Sequence, residues 1–221
     1  MKNYRLHFIR HGLTEANKQG LYVGRTDYEL CFEGIQELVR LKQEYEYPWV
    51  DTVYTSPLLR CVQTAGILYP DARLVPDQSL IELDFGDFEG KSYYELKDDP
   101  DYDRWLQDSM STAPRNGESG DVFVDRIIGA CSQIFEDMMQ QELTDVAVVT
   151  HGGVIMTLMA ALGLPKRNMR EWAIGNGRGY TVLMTPQMWM RDRAFEVAGL
   201  MPHGATAQFG ESISMVLGEQ D

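Results

Sequence analysis

The chain has 221 residues, with 20 Lys and Arg against 33 Asp and Glu for a formal charge of −13, and 44% of its residues are hydrophobic. A chain of this size buries roughly 70% of its unfolded surface and needs no staples, so one enzyme-sized domain is expected over 1–221. The acid excess argues against nucleic-acid and anionic membrane partners, which carry charge of the same sign, but leaves a small anionic substrate open.

In chain order, residues 4–9 read as a first strand, and Arg5 and His7 within it exclude a signal-peptide core. A helix is expected over 33–45 and a second strand over 51–55. Ser56-Pro57 marks a helix start, with Pro57 at the first helical position and Leu58, Leu59, Val62, Ala65 and Leu68 in helical spacing. The stretch from about 86 to 120 is rich in Asp, Gly, Ser and Pro and reads as a lid-like insertion. A helix follows over 122–139, then a strand over 145–150 whose nearly continuous apolar run suits burial on both faces. A helix over 154–162 is closed by Gly163 and Pro165. From about 200 a C-terminal extension is expected, in which the turn 201–204 and the run 212–217 form a loop and an edge strand, or a partner-binding segment.

Strands alternating with helices imply an α/β fold, a three-layer α/β/α sandwich around a mostly parallel sheet. Cys31, Cys61 and Cys131 are odd in number and form no CxxC, so neither disulfides nor a zinc site is suggested. No run approaches the ~18 apolar residues of a membrane span, and a soluble, cytoplasmic protein is expected. A homodimer is left open.

Ligands of α/β sheets bind beyond the carboxyl ends of the strands. Arg10-His11-Gly12 follows the first strand and His151-Gly152-Gly153 follows the 145–150 strand. Phosphoryl transfer needs cationic forks for the oxygens, close backbone approach where glycine removes the side chain, and a nucleophile if the route is covalent. The two turns supply all three. Asn17, the turn Gly24-Arg25-Thr26-Asp27, and Arg60 early in its helix are further candidates. Glu82 is a candidate proton donor that must stay protonated near neutrality, and Asp84, two residues on, is the alternative if the turn is shifted. Asn17 also suits helix capping and Gly24 a turn. His7 alternates with apolar residues and reads as a packed histidine, and the twelve methionines read as filler.

Six blocks in order carry a family resemblance: Arg10-His11-Gly12-Leu13-Thr14-Glu15-Ala16-Asn17; Gly24-Arg25-Thr26-Asp27 with Leu30 and Gly34; Ser56-Pro57-Leu58-Leu59-Arg60 with Thr64-Ala65; Glu82 through Phe85-Gly86-Asp87-Phe88-Glu89-Gly90; Gly117-Glu118-Ser119; and Val149-Thr150-His151-Gly152-Gly153. On these the chain resembles the histidine phosphatase superfamily, the clan of cofactor-dependent phosphoglycerate mutases and acid phosphatases. The resemblance implies a phosphoglycerate mutase-like fold and a phosphohistidine mechanism. His11 would attack phosphorus in line, and Arg10, Arg60, Asn17 and His151 would hold the oxygens, with backbone contacts at Gly24 and Gly152. Glu82 would protonate the leaving alkoxide, and water activated by the same carboxylate would release phosphate. The arginines would also disfavour the imidazolium form of His11. Neither metal nor cofactor is implied. A metallohydrolase built on His11 and His151 is disfavoured because no HxxxH or carboxylate-rich ligand spacing surrounds them.

The expected substrate is a small phosphorylated metabolite. Residues 1–25 carry five cations against one acid, a local +4, whereas 82–103 carries nine acids against two lysines, a local −7. Mutases of the family have a longer, more basic insertion for a second anionic group, which this segment would receive poorly. Tyr93, Tyr94, Tyr102 and Trp105 would either stack on a flat group or form the insertion's own core. The stretches 20–27 and 83–90 are similar to alpha-ribazole phosphatases of cobalamin synthesis, and broad-specificity relatives share them. The expected function is therefore phosphatase action on a monophosphate with a neutral body. A cofactor-dependent phosphoglycerate mutase and a non-catalytic phosphate-binding module are the alternatives.

Overall fold

Alternation along the first strand, β1 (Tyr4–Arg10), sends Leu6 and Phe8 into one apolar cluster and Ile9 into another, so this strand is covered on both faces. The computed structural model describes residues 2–205; the expected 212–217 run lies outside them. After β1 come a single turn α1 (Glu15–Lys18), α2 (Phe32–Glu44), β2 (Thr52–Thr55), α3 (Leu59–Leu68) and β3 (Arg73–Pro76). The insertion contributes α4 (Tyr93–Leu96) and α5 (Pro100–Gln107). Then follow α6 (Gly120–Gln140), β4 (Asp145–Thr150), α7 (Gly152–Leu162), β5 (Gly163–Leu164), β6 (Gly179–Met184), α8 (Pro186–Asp192) and β7 (Phe195–Met201).

The strands form one sheet in the order β3-β2-β4-β1-β6-β7-β5. Only β6 opposes the rest, pairing antiparallel with β1 and β7. On one face Phe8, Val146 and Val148 meet Ile127 and Phe135 of α6 and Ile155 and Leu158 of α7. On the other, Ile9, Ala147 and Val149 meet Leu38 of α2 and Cys61, Ala65 and Leu68 of α3. The architecture is thus the mixed α/β, mostly parallel sandwich that the strand-helix alternation predicts.

Departures from the sequence expectation have local causes. Helix α3 begins at Leu59, two residues beyond Pro57, because Leu58 is extended and offers no side-chain cap, while the Leu59 N–H donates to Asp27 Oδ1 at 2.7 Å. Helix α7 begins at Gly152, its first turn made of the two glycines. No element is expected from the sequence between Pro165 and Gly199, where β6, α8 and most of β7 lie. Strand β7 runs through to Met201, and His203 N–H donates to Glu46 O at 2.9 Å, so the boundary at 200 falls inside the last strand. Phe88, Leu96, Tyr102 and Trp105 of the insertion form an apolar cluster with Tyr22 of the 20–27 stretch, while Tyr94 is exposed. Helix α5 inside it is signalled by Asp99, which accepts from Asp101 N–H, followed by Pro100 at the first position. Among the described residues no helix is long and apolar enough to cross a membrane.

Phe135 of α6 is fully buried and meets Tyr4 of β1 edge-on at 5.2 Å and Trp189 of α8 at 5.9 Å. Phe135→Ala is expected to cost about 3–5 kcal/mol in urea unfolding by opening a cavity between helix and sheet. The Michaelis constant of the surviving native fraction should hardly change.

Candidate active site

Two parallel neighbours bring the chemistry together. Arg10 of β1 lies in register with Thr150 of β4, and the His11 N–H donates to Thr150 O at 2.9 Å. The next residue of each strand is a histidine, and the rings of His11 and His151 sit 5.3 Å apart, both buried. His11 Nδ1 lies 2.7 Å from its neighbour's carbonyl, Gly12 O. A carbonyl only accepts, so Nδ1 carries the proton and Nε2 keeps the lone pair. Asn176 Nδ2 donates to His11 O at 2.9 Å and fixes the turn from outside. His151 Nε2 pairs with Ser56 Oγ at 2.9 Å.

Two buried guanidiniums stand beside these rings. Arg10 donates through Nη1 to Ile174 O at 2.8 Å, and Arg60 through Nη1 and Nη2 to Thr26 O at 2.8 Å and Gly24 O at 2.7 Å. The Nε of each is buried without a hydrogen-bond partner among the described residues, as suits donors kept for an oxyanion. Burial draws Arg10 down to about 10 against the pull of Glu82, so it remains a cation at neutrality. Burial first, then Arg60 and Arg10, press His11 well below the ordinary imidazole range. His151 is lowered in the same way, by burial and then by Arg60.

Gly24 stands behind Arg60 as its acceptor and is not among the residues lining the cavity. A Cβ at position 24 would come 1.8 Å from Leu83 O, so only glycine lets this turn lie against the Glu82 segment. Glu89 holds the turn from the insertion, accepting from the N–H groups of Gly24 at 2.8 Å, Arg25 at 2.9 Å and Thr26 at 3.2 Å. Ser56, Asp27 and Glu89 thus orient the chemistry, although none has an individual role legible in the sequence. Ser56 precedes Pro57 and reads as a helix start, and only the fold reveals what lies opposite each of the three.

Glu82 is buried, its Oε1 accepting from Leu83 N–H at 3.0 Å and its Oε2 from Gly153 N–H at 2.8 Å. A Cβ on Gly153 would meet Oε1 at 2.4 Å, which explains the second glycine after His151. Burial raises the carboxyl above its ordinary range despite those bonds and both arginines. Asp84, the alternative donor, is engaged elsewhere: it accepts from Gly86 N–H at 3.0 Å, pairs with Arg25 at 3.1 Å and does not line the cavity.

Arg10, His11, Asn17, Glu82, Gly152 and Gly153 line one end of a cavity of about 370 Å³. Asn17 spends Oδ1 capping α1 through Thr14 N–H at 3.3 Å, which leaves the amide NH2 as its remaining donor. The walls are largely apolar, with Leu21, Val23, Phe85, Trp105, Phe123 and Met156 among them. Trp105 and Phe85 therefore serve both the insertion's own cluster and the cavity. His7 is buried away from this cavity, bonded to Thr181 Oγ1 at 2.9 Å, and lowered to about 4 chiefly by burial. No group of three or more His, Cys, Asp or Glu is placed to hold a metal ion among the described residues.

The charge arrangement is testable without turnover. The imidazole resonances of His11 should stay those of a neutral ring well below pH 6.5, since the protonated form would be buried beside two cations. In Arg60→Met the His11 titration should move upward, because one of the opposing charges is gone. An unchanged midpoint would show that burial alone sets it.

A model of the histidine phosphatase superfamily (branch 1) matches residues 6–194. The chain is 33% identical over 179 residues to the adenosylcobalamin/alpha-ribazole phosphatase of Escherichia coli (strain K12), covering 78% of this chain and 86% of that one. It is 27% identical over 184 residues to phosphoserine phosphatase 1 of Hydrogenobacter thermophilus, covering 81% and 85%. The crystal structure of the alpha-ribazole phosphatase from Shigella flexneri superposes with a TM-score of 0.74 at 26% identity, over 89% of this chain and 95% of the other. With the family match spanning most of its length, the chain belongs to the histidine phosphatase superfamily.

Proposed function

We propose that this phosphatase hydrolyses the monophosphate of a body without further charge, with α-ribazole phosphate as first candidate, through a phosphohistidine on His11. The observation carrying the reading is the fixed tautomer: a neutral imidazole, Nδ1–H tied to Gly12 O, set beside two buried guanidiniums. His11 Nε2 attacks phosphorus and forms the P–N bond while the ester P–O bond breaks. The Glu82 carboxyl gives its proton to the departing alkoxide oxygen, which leaves as the free alcohol. Water then attacks phosphorus and yields a proton to the Glu82 carboxylate. The P–N electron pair returns to Nε2, and inorganic phosphate departs.

Arg10, Arg60, Asn17 and His151 hold the equatorial oxygens, helped by the Gly152 N–H at the start of α7, where the helix dipole favours negative charge. Arg10, Asn17 and Gly152 line the cavity before substrate arrives, whereas Arg60 and His151 lie behind that lining and His151 Nε2 exchanges Ser56 Oγ for a phosphate oxygen. The insertion, residues 86–120, covers the substrate body.

The relatives' names offer two substrates of opposite character. Phosphoserine carries an ammonium and a carboxylate besides its phosphate, and each needs a partner when water is displaced. Apart from Arg10 and Glu82, which the reaction uses, the cavity lining has no charged residue, whereas Phe85, Trp105 and Phe123 suit a flat apolar body. The expectation is that kcat/KM for α-ribazole phosphate exceeds that for phosphoserine by 100-fold or more, on the order of 3 kcal/mol of differential transition-state binding. Equal values would remove the apolar-body reading. Interconversion of 2- and 3-phosphoglycerate with the bisphosphate present would support the mutase instead.

Alkaline quench of the enzyme with labelled substrate should trap an acid-labile phosphoprotein that is absent from His11→Ala. Full activity in that variant, or binding of substrate without turnover by the native protein, would overturn the mechanism. Turnover needs His11 unprotonated and Glu82 protonated, so kcat/KM should fall toward acid as His11 gains a proton and toward alkali as Glu82 loses one. The acid limb should lie below the ordinary imidazole value of about 6.5 and the alkaline limb above the ordinary carboxylate value of about 4.3. Glu82→Gln should erase the alkaline limb and keep the acid one.

A further inference from the structure

The segment that presents Glu82 is loop, yet its backbone is held at four successive points by one ion pair. Arg126, on the second turn of α6 and mostly buried, donates through Nη1 to Ser79 O at 3.0 Å and Ile81 O at 2.7 Å. Its Nη2 reaches Glu82 O at 3.4 Å and also bonds Glu118 Oε1, while Nε reaches Glu118 Oε2 at 3.4 Å. Glu118 Oε1 in turn accepts from Asp84 N–H at 3.0 Å, and the Glu118 N–H donates to Asp84 O at 3.1 Å. The fork therefore grips carbonyls up to and including Glu82, and its carboxylate partner grips the peptide just beyond.

The side chain of Glu82 is tethered separately, by the N–H groups of Leu83 and Gly153. Those two bonds fix the carboxyl only while the loop stays in place. Helix α6 is anchored in the main core through Phe123, Ile127 and Ile134, so a side chain rooted on it references the loop to the sheet. A lysine at 126 offers one ammonium in place of a planar fork and cannot reproduce bonds to three carbonyls and a carboxylate together. Neither Arg126 nor Glu118 lines the cavity, and their hydrogen bonds go to the 79–84 backbone and to each other, so both act through Glu82.

We propose that the Arg126–Glu118 pair is a positioning device for the proton donor, holding the 79–84 backbone so that the Glu82 carboxyl meets the leaving oxygen. The inference rests on the reading of Glu82 as general acid. It predicts a loss in the phosphorylation of His11 that depends on whether the leaving group needs a proton, whereas the later release to water, which uses the same carboxylate, is common to all esters. Correct placement of a general acid is worth 10²–10⁴-fold, and a shift on the order of 1 Å forfeits much of it.

The experiment compares two neutral-bodied esters, p-nitrophenyl phosphate, whose leaving group departs without a proton, and benzyl phosphate, whose alkoxide needs one. In Arg126→Lys and Glu118→Gln, kcat/KM, which reads only as far as phosphorylation of His11, should fall at least about 30-fold for benzyl phosphate and less than about 3-fold for p-nitrophenyl phosphate, as selective loss of acid catalysis requires. The alkaline limb of the benzyl phosphate kcat/KM profile should move. Equal losses on both esters, or no loss on either, would overturn the proposal. Glu82→Gln is the control: if it fails to separate the esters, the general-acid reading itself falls. If it separates them and the Arg126 and Glu118 variants do not, only the positioning role fails. Should Arg126→Lys not fold, Glu118→Gln decides alone, since it keeps the guanidinium on the carbonyls and removes the charge that aligns it.

Discussion

The parallel pairing of β1 with β4, Arg10 opposite Thr150, is the constraint on which the site depends. Both strands are buried on both faces, and side chains along a strand alternate with a period of two. A slip of one residue would exchange Phe8 with Ile9 between two differently shaped helical layers and move His11 past His151. The core thus selects the register, and the register sets the two rings side by side at the mouth of the sheet. The strand-to-helix connections do the rest: the turn after β4 becomes the N-terminus of α7, and the helix after β2 carries Arg60 inward.

Burying two guanidiniums next to two imidazoles is costly unless each charge has hydrogen-bond acceptors. The protein supplies three backbone carbonyls from two loops, Ile174 for Arg10 and Gly24 with Thr26 for Arg60. Carbonyls satisfy the forks without neutralising them, so the positive field survives for an incoming phosphate and keeps His11 neutral. The sole buried carboxylate of the group, Glu82, is pushed toward its protonated form by its own burial. One desolvated crevice therefore prepares a neutral nucleophile and a neutral acid through the same physics acting on groups of opposite sign.

The chain's acid excess acquires a different meaning in three dimensions. In the −7 stretch, Glu89 is wrapped by backbone N–H groups of the 24–26 turn, Glu95 closes a capping box with Ser92, and Asp99 caps α5. These acids are spent on local architecture more than on a repulsive field. Selection against a second anion falls instead to the apolar walls, where Trp105 and Phe85 join the insertion's own cluster to the cavity. The aromatic residues that read as either a stacking surface or a satellite core divide: Tyr102 belongs to the core, and Trp105 belongs to both.

Much was legible from the sequence because it is written in local chemistry. Period-two and helical apolar spacing marked β1, β2, α2, α3, α6, β4 and α7, and Arg-His-Gly with His-Gly-Gly at the ends of two strands marked where phosphate chemistry belongs. The chain between Pro165 and Gly199 was not legible: β6 opposes its neighbours and is led by a glycine whose Cβ would strike Phe8 O at 1.7 Å, a fit defined only by the strand beside it. Neither was the support beneath the chemistry. Ser56 on His151, Glu89 under the Arg60 turn, and Arg126 with Glu118 behind Glu82 all join residues from different elements. Propensity, patterning and turn chemistry act over a few residues, so the available groups and the fold that brings the strand ends together can be read along the chain. Desolvation and hydrogen-bond geometry depend on neighbours distant in the chain, so which carboxylate enters the cavity, which ring nitrogen keeps its lone pair and which cation serves as scaffold are settled by the folded arrangement alone.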